Sequence, residues 1–292
     1  MVVLSYGFCI KNANSLDKIY NENCLTGMQN IPDSSIDFVC TDLPYSITAC
    51  DWDKGIDLKK FWVQIKRILK PQSSAAMFAS GKFSFELAQS NWDWYKYKWI
   101  WVKNSPTCFV HAKNCPMHKY EEILIFSNGV INHESLSPNT RMKYFPQGVE
   151  DIPPVTKKWK KDSGVQIRGH KKCEGLTRFN AKNKFGGAYG ARPSQLDVYT
   201  STKTGYPSDV LNFNTLPTTK KLNPTQKPTE LLEYLIRTYT NEGELVLDAT
   251  IGSGSTAVAC INTNRHFIGF ETNKKFFDIA NERIAKTFSE NR

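Results

Sequence analysis

Short apolar runs alternate along this chain with longer segments in which apolar residues recur every three or four positions. A short run bounded by polar residues is typical of a buried strand, and recurrence at helical spacing is typical of an amphipathic helix. Strands that alternate with helices favour an open α/β sheet. The predicted strands cover residues 19–20, 36–40, 75–79, 99–103, 122–126, 245–247 and 267–270, and the predicted helices cover residues 58–69, 83–89, 229–239, 256–262 and 274–284.

The regular pattern stops between residues 131 and 220. This segment is rich in Lys, Gly, Pro and Asn, and aromatic residues are interleaved among the basic ones. A loop-rich segment of that length inside a globular chain is usually functional or disordered. We therefore predict three parts, which are residues 15–130, a loop-rich insert over residues 131–220, and residues 221–292.

The positive charge of the chain is concentrated in and just after this insert. Of the formal net charge of +10, residues 131–230 carry +9, from 17 Lys and Arg against 8 Asp and Glu. Lys and Arg hold phosphates and aromatic rings stack on bases, so the segment favours a nucleic-acid-facing surface over a generic solvated basic face. The candidate DNA-binding residues are Lys157, Lys158, Lys160, Lys161, Arg168 and Arg178.

The cysteines and the apolar runs indicate which cellular compartment is expected for the protein. The eight cysteines include no C-x-x-C pair, so reduced thiols in a cytosolic protein are expected. Residues 1–10 are partly apolar but lack a basic n-region and a small-residue cleavage site, so no signal peptide is predicted. No apolar run approaches the ~18 residues of a membrane span. We expect no membrane partner.

One spacing offers metal-type ligands. Cys108, His111, Cys115 and His118 form the pattern C-x2-H-x3-C-x2-H. The spacing is tighter than that of the usual zinc finger, and a loop between two strands explains it equally well. We predict no metal site.

Residues 42–45, Asp-Leu-Pro-Tyr, directly follow the predicted strand 36–40. Pro44 biases Leu43 toward extended geometry, which presents the Leu43 carbonyl at the strand tip. The tip then offers a charged acceptor (Asp42), a main-chain acceptor and a flat ring (Tyr45). Two acceptors beside an aromatic face suit an exocyclic amino group on a planar base. An ordinary strand-to-loop turn is the alternative.

The pattern of residues 245–271 predicts a strand, a glycine turn, a helix and a second strand that ends at an acidic residue. This order is typical of a nucleotide-binding βαβ unit. Gly252 and Gly254 let the backbone turn sharply and let a ligand approach closely. Glu271 follows Gly254 by 17 residues, close to the spacing at which a carboxylate meets ribose hydroxyls. A dinucleotide-binding G-x-G-x-x-G would need glycine where Ala257 stands, and the turn lacks the lysine of a P-loop. The turn indicates an adenosine-type ligand.

Three motifs together resemble those of the DNA amino-methyltransferases of the β group, which use S-adenosylmethionine. Residues 42–45 resemble the catalytic motif D-P-P-Y, and residues 248–256, D-A-T-I-G-S-G-S-T, resemble the cofactor motif D-P-F-x-G-S-G-T-T. Residues 223–228, N-P-T-Q-K-P, resemble the element H-P-T-Q-K-P that precedes the cofactor motif. The order of catalytic motif, insert and cofactor motif is that of the β group.

Departures from the family pattern occur in all three motifs. Leu43 stands in place of the first proline of D-P-P-Y, and if that position works through its carbonyl, the identity of the side chain is secondary. Ala249 and Thr250 replace Pro-Phe, so an aromatic contact to the adenine of the cofactor is either absent or supplied by another residue. Asn223 replaces the histidine of the third motif.

The resemblance implies a doubly wound, mostly parallel, Rossmann-like methyltransferase sheet. It places catalysis in residues 15–130, target recognition in the insert and S-adenosylmethionine binding in residues 221–292. It also implies direct methyl transfer to an adenine N6 amine of a base flipped out of double-stranded DNA, without a metal. The implied catalytic residues are Asp42, Leu43, Pro44 and Tyr45, and the implied cofactor-binding residues are Asp248, Gly252, Ser253, Gly254, Glu271, Thr225, Lys227, Asn23 and Cys24.

Several alternatives remain open at this point. One is a cytosine-N4 DNA methyltransferase, and another is an RNA or protein-amide methyltransferase, for which an Asn-Pro-Pro-Tyr tip is more typical. A basic DNA-binding protein without catalysis is a further one, which the intact Asp42 and Tyr45 disfavour. The expected location is the cytoplasm of a bacterial or bacteriophage-infected cell. A homodimer and a cognate restriction endonuclease are both compatible with the sequence.

Overall fold

The computed structural model describes residues 16–45, 55–131, 139–158, 198–217, 219, 221–223 and 225–291. Its strands are β1 (Lys18–Tyr20), β2 (Ile36–Thr41), β3 (Leu69–Ala79), β4 (Tyr95–Thr107), β5 (His118–Ser127), β6 (Glu150–Lys158), β7 (Val198–Thr204), β8 (Val210–Asn212), β9 (Leu245–Asp248) and β10 (His266–Phe270). Its α-helices are α1 (Cys24–Gly27), α2 (Leu58–Ile68), α3 (Lys82–Ser90), α4 (Thr229–Tyr239), α5 (Ser255–Asn262) and α6 (Lys274–Glu290). None of the helices in these ranges combines the length and the apolar character needed to cross a bilayer.

Eight of the described strands form one sheet in the order β1-β10-β9-β2-β3-β5-β4-β8. Neighbours from β1 to β3 are parallel, β5 is antiparallel to both β3 and β4, and β8 runs parallel to β4 at the edge. The predicted open, mostly parallel α/β sheet is therefore confirmed. The remaining strands, β6 and β7, pair antiparallel in a small separate sheet.

The insert is more regular than the sequence predicts. The pattern of residues 131–220 indicates a loop-rich segment, but its described part holds β6, β7 and β8. Residues 150–156 of β6 and 201–204 of β7 are mostly exposed and do not alternate between apolar and polar, and β8 has only three residues, which is why the pattern misses these strands. The predicted strands 99–103 and 122–126 are also too short, because the β4–β5 hairpin continues well past the buried core.

The strand β2 is buried along its whole length, as expected for a central strand of a sheet covered on both faces. Phe38 and Cys40 pack into the core on one face of the sheet, and Val39 packs into the core on the other. Val246 and Leu247 of the neighbouring strand β9 divide in the same way. Helices pack against both faces, so the arrangement is doubly wound.

The pairing of β2 with β9 brings the two predicted functional tips together. Phe38 aligns with Val246 and Val39 aligns with Leu247 in a parallel ladder. Parallel neighbours end at the same edge of a sheet, so the segments that follow β2 and β9 emerge side by side. This edge holds the site described below.

A buried hydroxyl connects α4 to the sheet and provides a test of the fold. The ring of Tyr239 stacks on Phe38, its hydroxyl accepts from Trp99 Nε1 at 2.7 Å, and Tyr97 Oη lies 2.9 Å away. Tyr239→Phe removes the acceptor and leaves the indole N–H of Trp99 unpaired inside the core. We expect the free energy of unfolding to fall by about 1–3 kcal/mol. Urea denaturation measures it.

The control for this substitution is Tyr206→Phe, because that side chain is exposed. It removes the same hydroxyl from a tyrosine at the surface. We expect no measurable change in its free energy of unfolding. If both variants lose equal stability, the buried hydrogen bonds of Tyr239 do not stabilise the fold.

Candidate active site

A cavity of about 670 Å³ opens at the edge of the sheet where β2 and β9 end. It extends from residues 42–45 on one side to residues 248–253 and Glu271 on the other. The hydroxyl of Thr250 donates to the backbone carbonyl of Asp42 at 2.9 Å and lies 3.0 Å from the hydroxyl of Thr41. The two motifs that the sequence singles out therefore touch each other and line one cavity.

Both carboxylate oxygens of Asp42 are hydrogen-bonded. Oδ1 accepts from the hydroxyl of Tyr45 at 2.6 Å, and Oδ2 accepts from Lys227 Nζ at 2.6 Å. Burial raises the pKa of Asp42 above its usual value, while the charge of Lys227 limits that rise. The side chain is still 23% exposed, on the side of the cavity.

Tyr45 and Leu43 shape this tip in different ways. The ring of Tyr45 stacks on Phe83 with ring centroids 4.8 Å apart, so one face of the ring is covered by the protein. The side chain of Leu43 is buried in the core, which anchors the tip to the sheet. Pro44 lines the cavity beside them.

Lys227, one of the implied cofactor-binding residues, lies against Asp42 in this cavity. Its ammonium is also 3.1 Å from Glu121 Oε2, and Glu121 Oε1 is 2.5 Å from Lys103 Nζ. Burial alone would lower the pKa of Lys227, but Asp42 and Glu121 raise it above its usual value. Glu121 is likewise held ionised, because Lys227 and Lys103 lower its pKa against the effect of burial.

Sequence reasoning misses Glu121 and Lys103. Both belong to strands, where a charged residue is normally read as an exposed edge position. The signal that was available is their place close to the apolar runs 99–102 of β4 and 123–126 of β5. Which charged residues turn into the cavity depends on the pairing of the strands, which the pattern does not give.

The glycine turn after β9 has the backbone that the sequence predicts. Gly252 has φ +55° and Gly254 has φ +81°, in the left-handed region that glycine adopts without strain. A Cβ at Gly252 would lie 3.0 Å from the side-chain nitrogen of Asn223, and one at Gly254 would lie 3.1 Å from Cβ of Ala280. Side chains at these two positions would therefore crowd the turn.

Glu271 closes the cavity on the side of this turn. Its Oε2 accepts from the Gly252 N–H at 3.0 Å, and its Oε1 accepts from the Asn273 N–H at 2.7 Å. Burial raises the pKa of Glu271 above its usual value. Each carboxylate oxygen can accept a further hydrogen bond, so the group suits a pair of ribose hydroxyls.

The surroundings of Glu271 fit a nucleoside. Apolar side chains of Ile251, Phe270 and Phe276 line the same end of the cavity. Phe276 supplies an aromatic ring there, whereas Thr250 stands where the resembling family carries phenylalanine. The carboxylate, the glycine turn and the aromatic ring together match the predicted S-adenosylmethionine.

The weaker predicted cofactor residues also line this cavity. Asn23 Oδ1 accepts from the Leu25 N–H at 2.8 Å and caps α1, so part of its capacity is used by the fold. Burial raises the pKa of Cys24 to about 11, so its thiol is neutral at physiological pH. Thr225 is exposed, with its hydroxyl 3.1 Å from Asn223 Oδ1. Ser253 is buried within the turn.

Asp248 stabilises the glycine turn through hydrogen bonds to both of its carboxylate oxygens. Its Oδ2 accepts from the Thr256 hydroxyl at 2.6 Å, and its Oδ1 accepts from the Thr250 N–H at 3.1 Å. Burial raises the pKa of Asp248 to about 6, although hydrogen bonds from Thr256, Thr250 and Thr41 oppose the rise. The folded state therefore holds this proton more tightly than the unfolded chain does.

Asp248 is expected to make the stability of the ligand-free protein depend on pH. Because the pKa rises on folding from 3.8 to about 6, the free energy of unfolding should fall by about 3 kcal/mol as the pH rises through this window. Asp248→Asn should remove this decrease. The measurement is the difference in unfolding free energy between pH 4 and pH 8, with Asp33→Asn as an exposed control. Equal pH dependence in all three proteins would contradict this assignment.

The predicted DNA-binding residues are only partly described. Lys157 and Lys158 end β6, and their backbones pair with β7. Lys160, Lys161, Arg168 and Arg178 lie outside the described residues.

The Cys108 to His118 segment forms the exposed end of the β4–β5 hairpin. Cys108 and His118 line the cavity. Among the residues that the structure describes, no cluster of three or more His, Cys, Asp or Glu side chains is arranged to hold a metal ion.

Comparison with known proteins places these features in a family. The sequence model of a family described as DNA methylase matches residues 36–282. The type II methyltransferase M.BglII of Bacillus subtilis is 25% identical to this chain, over 94% of this chain and 71% of that protein. The type II methyltransferase M.HpaI of Haemophilus parainfluenzae is also 25% identical, over 91% of this chain and 74% of that protein.

Solved structures share the fold at lower identity. The complex of M1.HpyAVI with S-adenosylmethionine has a TM-score of 0.55 at 20% identity, over 91% of this chain and 98% of that one. The PvuII DNA methyltransferase, described as cytosine-N4-specific, has a TM-score of 0.57 at 14% identity, over 94% of this chain and 92% of that one.

Proposed function

Because the chain belongs to the DNA methylase family of S-adenosylmethionine-dependent amino-methyltransferases, we propose that its cavity methylates the N6 amine of an adenine flipped out of double-stranded DNA. The transfer of a methyl group to an amine of DNA follows from the family. The choice of adenine, the flipping of the base and the roles of individual residues are the proposal.

This proposal rests on the contact between the segment that follows β2 and the glycine turn that follows β9. Thr250 of the glycine turn bonds to the backbone of Asp42, and both sit in one cavity. An acceptor for an amine and a pocket for a nucleoside are thus close enough to serve one transfer. Proximity of this kind can contribute several kcal/mol to the rate of a two-substrate reaction.

Asp42 and the Leu43 carbonyl would act on the amine. The lone pair of an aromatic amine is delocalised into its ring, which makes the amine a poor nucleophile. Two acceptors that each hold one N–H localise that lone pair on the nitrogen. Each oxygen of Asp42 can accept two hydrogen bonds, so the amine can bind without removing Lys227 or Tyr45. When the nitrogen gains a methyl group, its surplus proton can pass to Asp42.

Tyr45 would stack on the extruded base. One face of its ring already rests on Phe83, which fixes the ring in place. A base on the opposite face would extend this stack, and it would offset part of the few kcal/mol that unstacking from the duplex costs.

The residues around the glycine turn would hold S-adenosylmethionine, which supplies an electrophilic methyl group on a positively charged sulfur. Glu271 would accept the ribose hydroxyls, and the backbone of Gly252, which lines the cavity, would let the cofactor approach. Gly254 would instead let the turn pack closely against Ala280 of α6. Phe276 offers a ring for its adenine. The other cofactor candidates that line the cavity are Asn23, Cys24, Thr225, Lys227, Asp248 and Ser253.

The basic insert would hold the DNA. We assign target recognition to residues 131–220, because a phosphate backbone is attracted to a segment of high positive charge. Lys157, Lys158, Lys160, Lys161, Arg168 and Arg178 are the proposed phosphate contacts.

Adenine is favoured over cytosine by the acid at the tip. By the pattern of the resembling family, aspartate accompanies adenine N6, and serine accompanies cytosine N4. The fold does not discriminate, because the PvuII enzyme described as cytosine-N4-specific has the same architecture.

Nucleoside analysis of methylated DNA tests the base. The purified protein is incubated with isotopically labelled S-adenosylmethionine and duplex DNA, and the DNA is digested to nucleosides for mass spectrometry. We expect labelled N6-methyldeoxyadenosine. Label in N4-methyldeoxycytidine would overturn the choice of base, and label that enters only RNA or protein in parallel reactions would overturn the substrate.

A further inference from the structure

Four charged side chains of alternating sign form a chain along one wall of the cavity. Asp42 Oδ2 is 2.6 Å from Lys227 Nζ, which is 3.1 Å from Glu121 Oε2, and Glu121 Oε1 is 2.5 Å from Lys103 Nζ. The four residues come from the tip of β2, the segment before α4, β5 and β4. Their charges sum to zero.

All four side chains are removed from solvent to an unusual degree for charged groups. Their exposed fractions are 23% for Asp42, 10% for Lys227, 16% for Glu121 and 9% for Lys103. A buried charge is tolerated only when an opposite charge compensates it, so each member depends on its neighbours. Lys227 is the member that two carboxylates share.

We propose that Glu121 is a positioning residue for methyl transfer, which shares Lys227 with Asp42 so that Asp42 stays available to the target amine. This inference depends on the proposed role of Asp42 as the acceptor of that amine. Glu121 itself touches neither substrate. It acts through the ammonium of Lys227.

The geometry explains why it matters that Asp42 and Glu121 share Lys227. An ammonium has three protons. Lys227 donates one of them to Asp42 Oδ2, and its charge is shared with Glu121 Oε2 through an ion pair at 3.1 Å. Without Glu121, Lys227 would pair with Asp42 alone and bind its oxygens more tightly. A more tightly paired Asp42 is a weaker acceptor for an incoming amine. With Glu121 present, Lys227 can shift toward Glu121 when the amine arrives.

Other charged groups near Asp42 set the direction of the expected pH effect. Lys227 and the Tyr45 hydroxyl lower the pKa of Asp42, whereas Glu121 raises it. Asp248 also lines the cavity and interacts with Asp42 electrostatically. Lys103 pairs with Glu121, and Lys221 interacts electrostatically with Lys103, Lys227 and Glu121. Removal of the Glu121 charge should therefore lower the pKa of Asp42, and removal of the Lys227 charge should raise it.

The test is the pH dependence of single-turnover methyl transfer by Glu121→Gln, with S-adenosylmethionine and duplex DNA both saturating. We expect the plateau rate to fall roughly 10- to 100-fold, since a small displacement of a reacting group costs that much. We also expect the acidic limb of the profile to move to lower pH. In Lys227→Met the same limb should move to higher pH. A purely structural role of Glu121 would not shift the limb.

Two further variants distinguish an effect on methyl transfer from an effect of misfolding. The double variant Glu121→Gln/Lys103→Met removes one charge of each sign, so Lys103 is not left unpaired, and it should show the same downward shift of the limb. The control is Glu122→Gln, because Glu122 is the next residue of β5 and pairs with Lys98 away from the cavity. We expect Glu122→Gln to keep the wild-type rate and profile.

The outcomes separate this inference from the proposed function. A wild-type plateau and profile in both Glu121 variants, together with an inactive Asp42→Asn, would overturn the role of Glu121 and leave the proposed function intact. Full activity of Asp42→Asn would overturn the assignment of the acceptor itself. A lower plateau with an unshifted acidic limb would also overturn the inference, because it would mean that Glu121 supports only the fold.

Discussion

Replacement of Asp42 by alanine is expected to lower the rate of methyl transfer by about a thousandfold or more. The variant loses the charged acceptor that would localise the lone pair of the target amine, and single preorganised groups of this kind contribute roughly 10²–10³ to a rate. It also loses a nearby acceptor for the proton that the amine releases, and proton transfer of this kind contributes roughly 10²–10⁴. The cavity would keep its glycine turn and Glu271. Binding of S-adenosylmethionine should therefore change little.

The measurement for Asp42→Ala is the single-turnover rate of label transfer to duplex DNA, with calorimetric titration of S-adenosylmethionine alongside. The fold should survive, because Lys227 keeps Glu121 as a partner. Asp33→Ala is the matched control, since Asp33 is exposed and pairs with Arg67 away from the cavity. A loss of less than tenfold in Asp42→Ala would show that another group holds the amine.

Replacement of Glu271 by alanine is expected to weaken the binding of S-adenosylmethionine by roughly 100-fold. A hydrogen bond to a charged group contributes about 1.5–3 kcal/mol, and Glu271 is proposed to make two with the ribose. The substitution also removes the acceptor of the Gly252 N–H, which holds the glycine turn in place. Both effects act on the cofactor side of the cavity and leave Asp42 untouched.

Calorimetry measures the dissociation constant of S-adenosylmethionine in Glu271→Ala, and the transfer rate is then taken at saturating cofactor. We expect saturation to restore most of the rate, because the loss is one of binding. Glu271→Gln keeps one acceptor oxygen, so its dissociation constant for S-adenosylmethionine should lie between those of the wild type and Glu271→Ala. Glu282→Ala serves as the control, since this glutamate is exposed on α6. Unchanged affinity in Glu271→Ala would show that the ribose lies elsewhere.

The parts of the site that could be predicted are those that neighbouring residues specify. Residues 42–45 follow a buried strand, and Gly252 and Gly254 occupy a turn that requires positive φ, so the local sequence carries both signals. The apolar runs predict the central strands for the same reason, because alternation and burial are visible within five or six residues.

The parts that could not be predicted depend on contacts between residues far apart in the chain. Asp42 and Lys227 are separated by 185 residues, and their ion pair follows from the packing of two distant segments. Glu121 and Lys103 face the cavity only because of the register of the β4–β5 hairpin. Likewise, β8 joins the main sheet by pairing with β4 across a long connection.

The sequence by itself determined the class of fold, the two candidate tips and the family, because these depend on short patterns of burial, backbone conformation and residue type. Only the tertiary structure decided that the tips share one cavity and that Lys227 lies between two carboxylates. The physical reason is that burial makes a charge depend on whichever opposite charge the fold brings near it, and that neighbour is set by strand order and register.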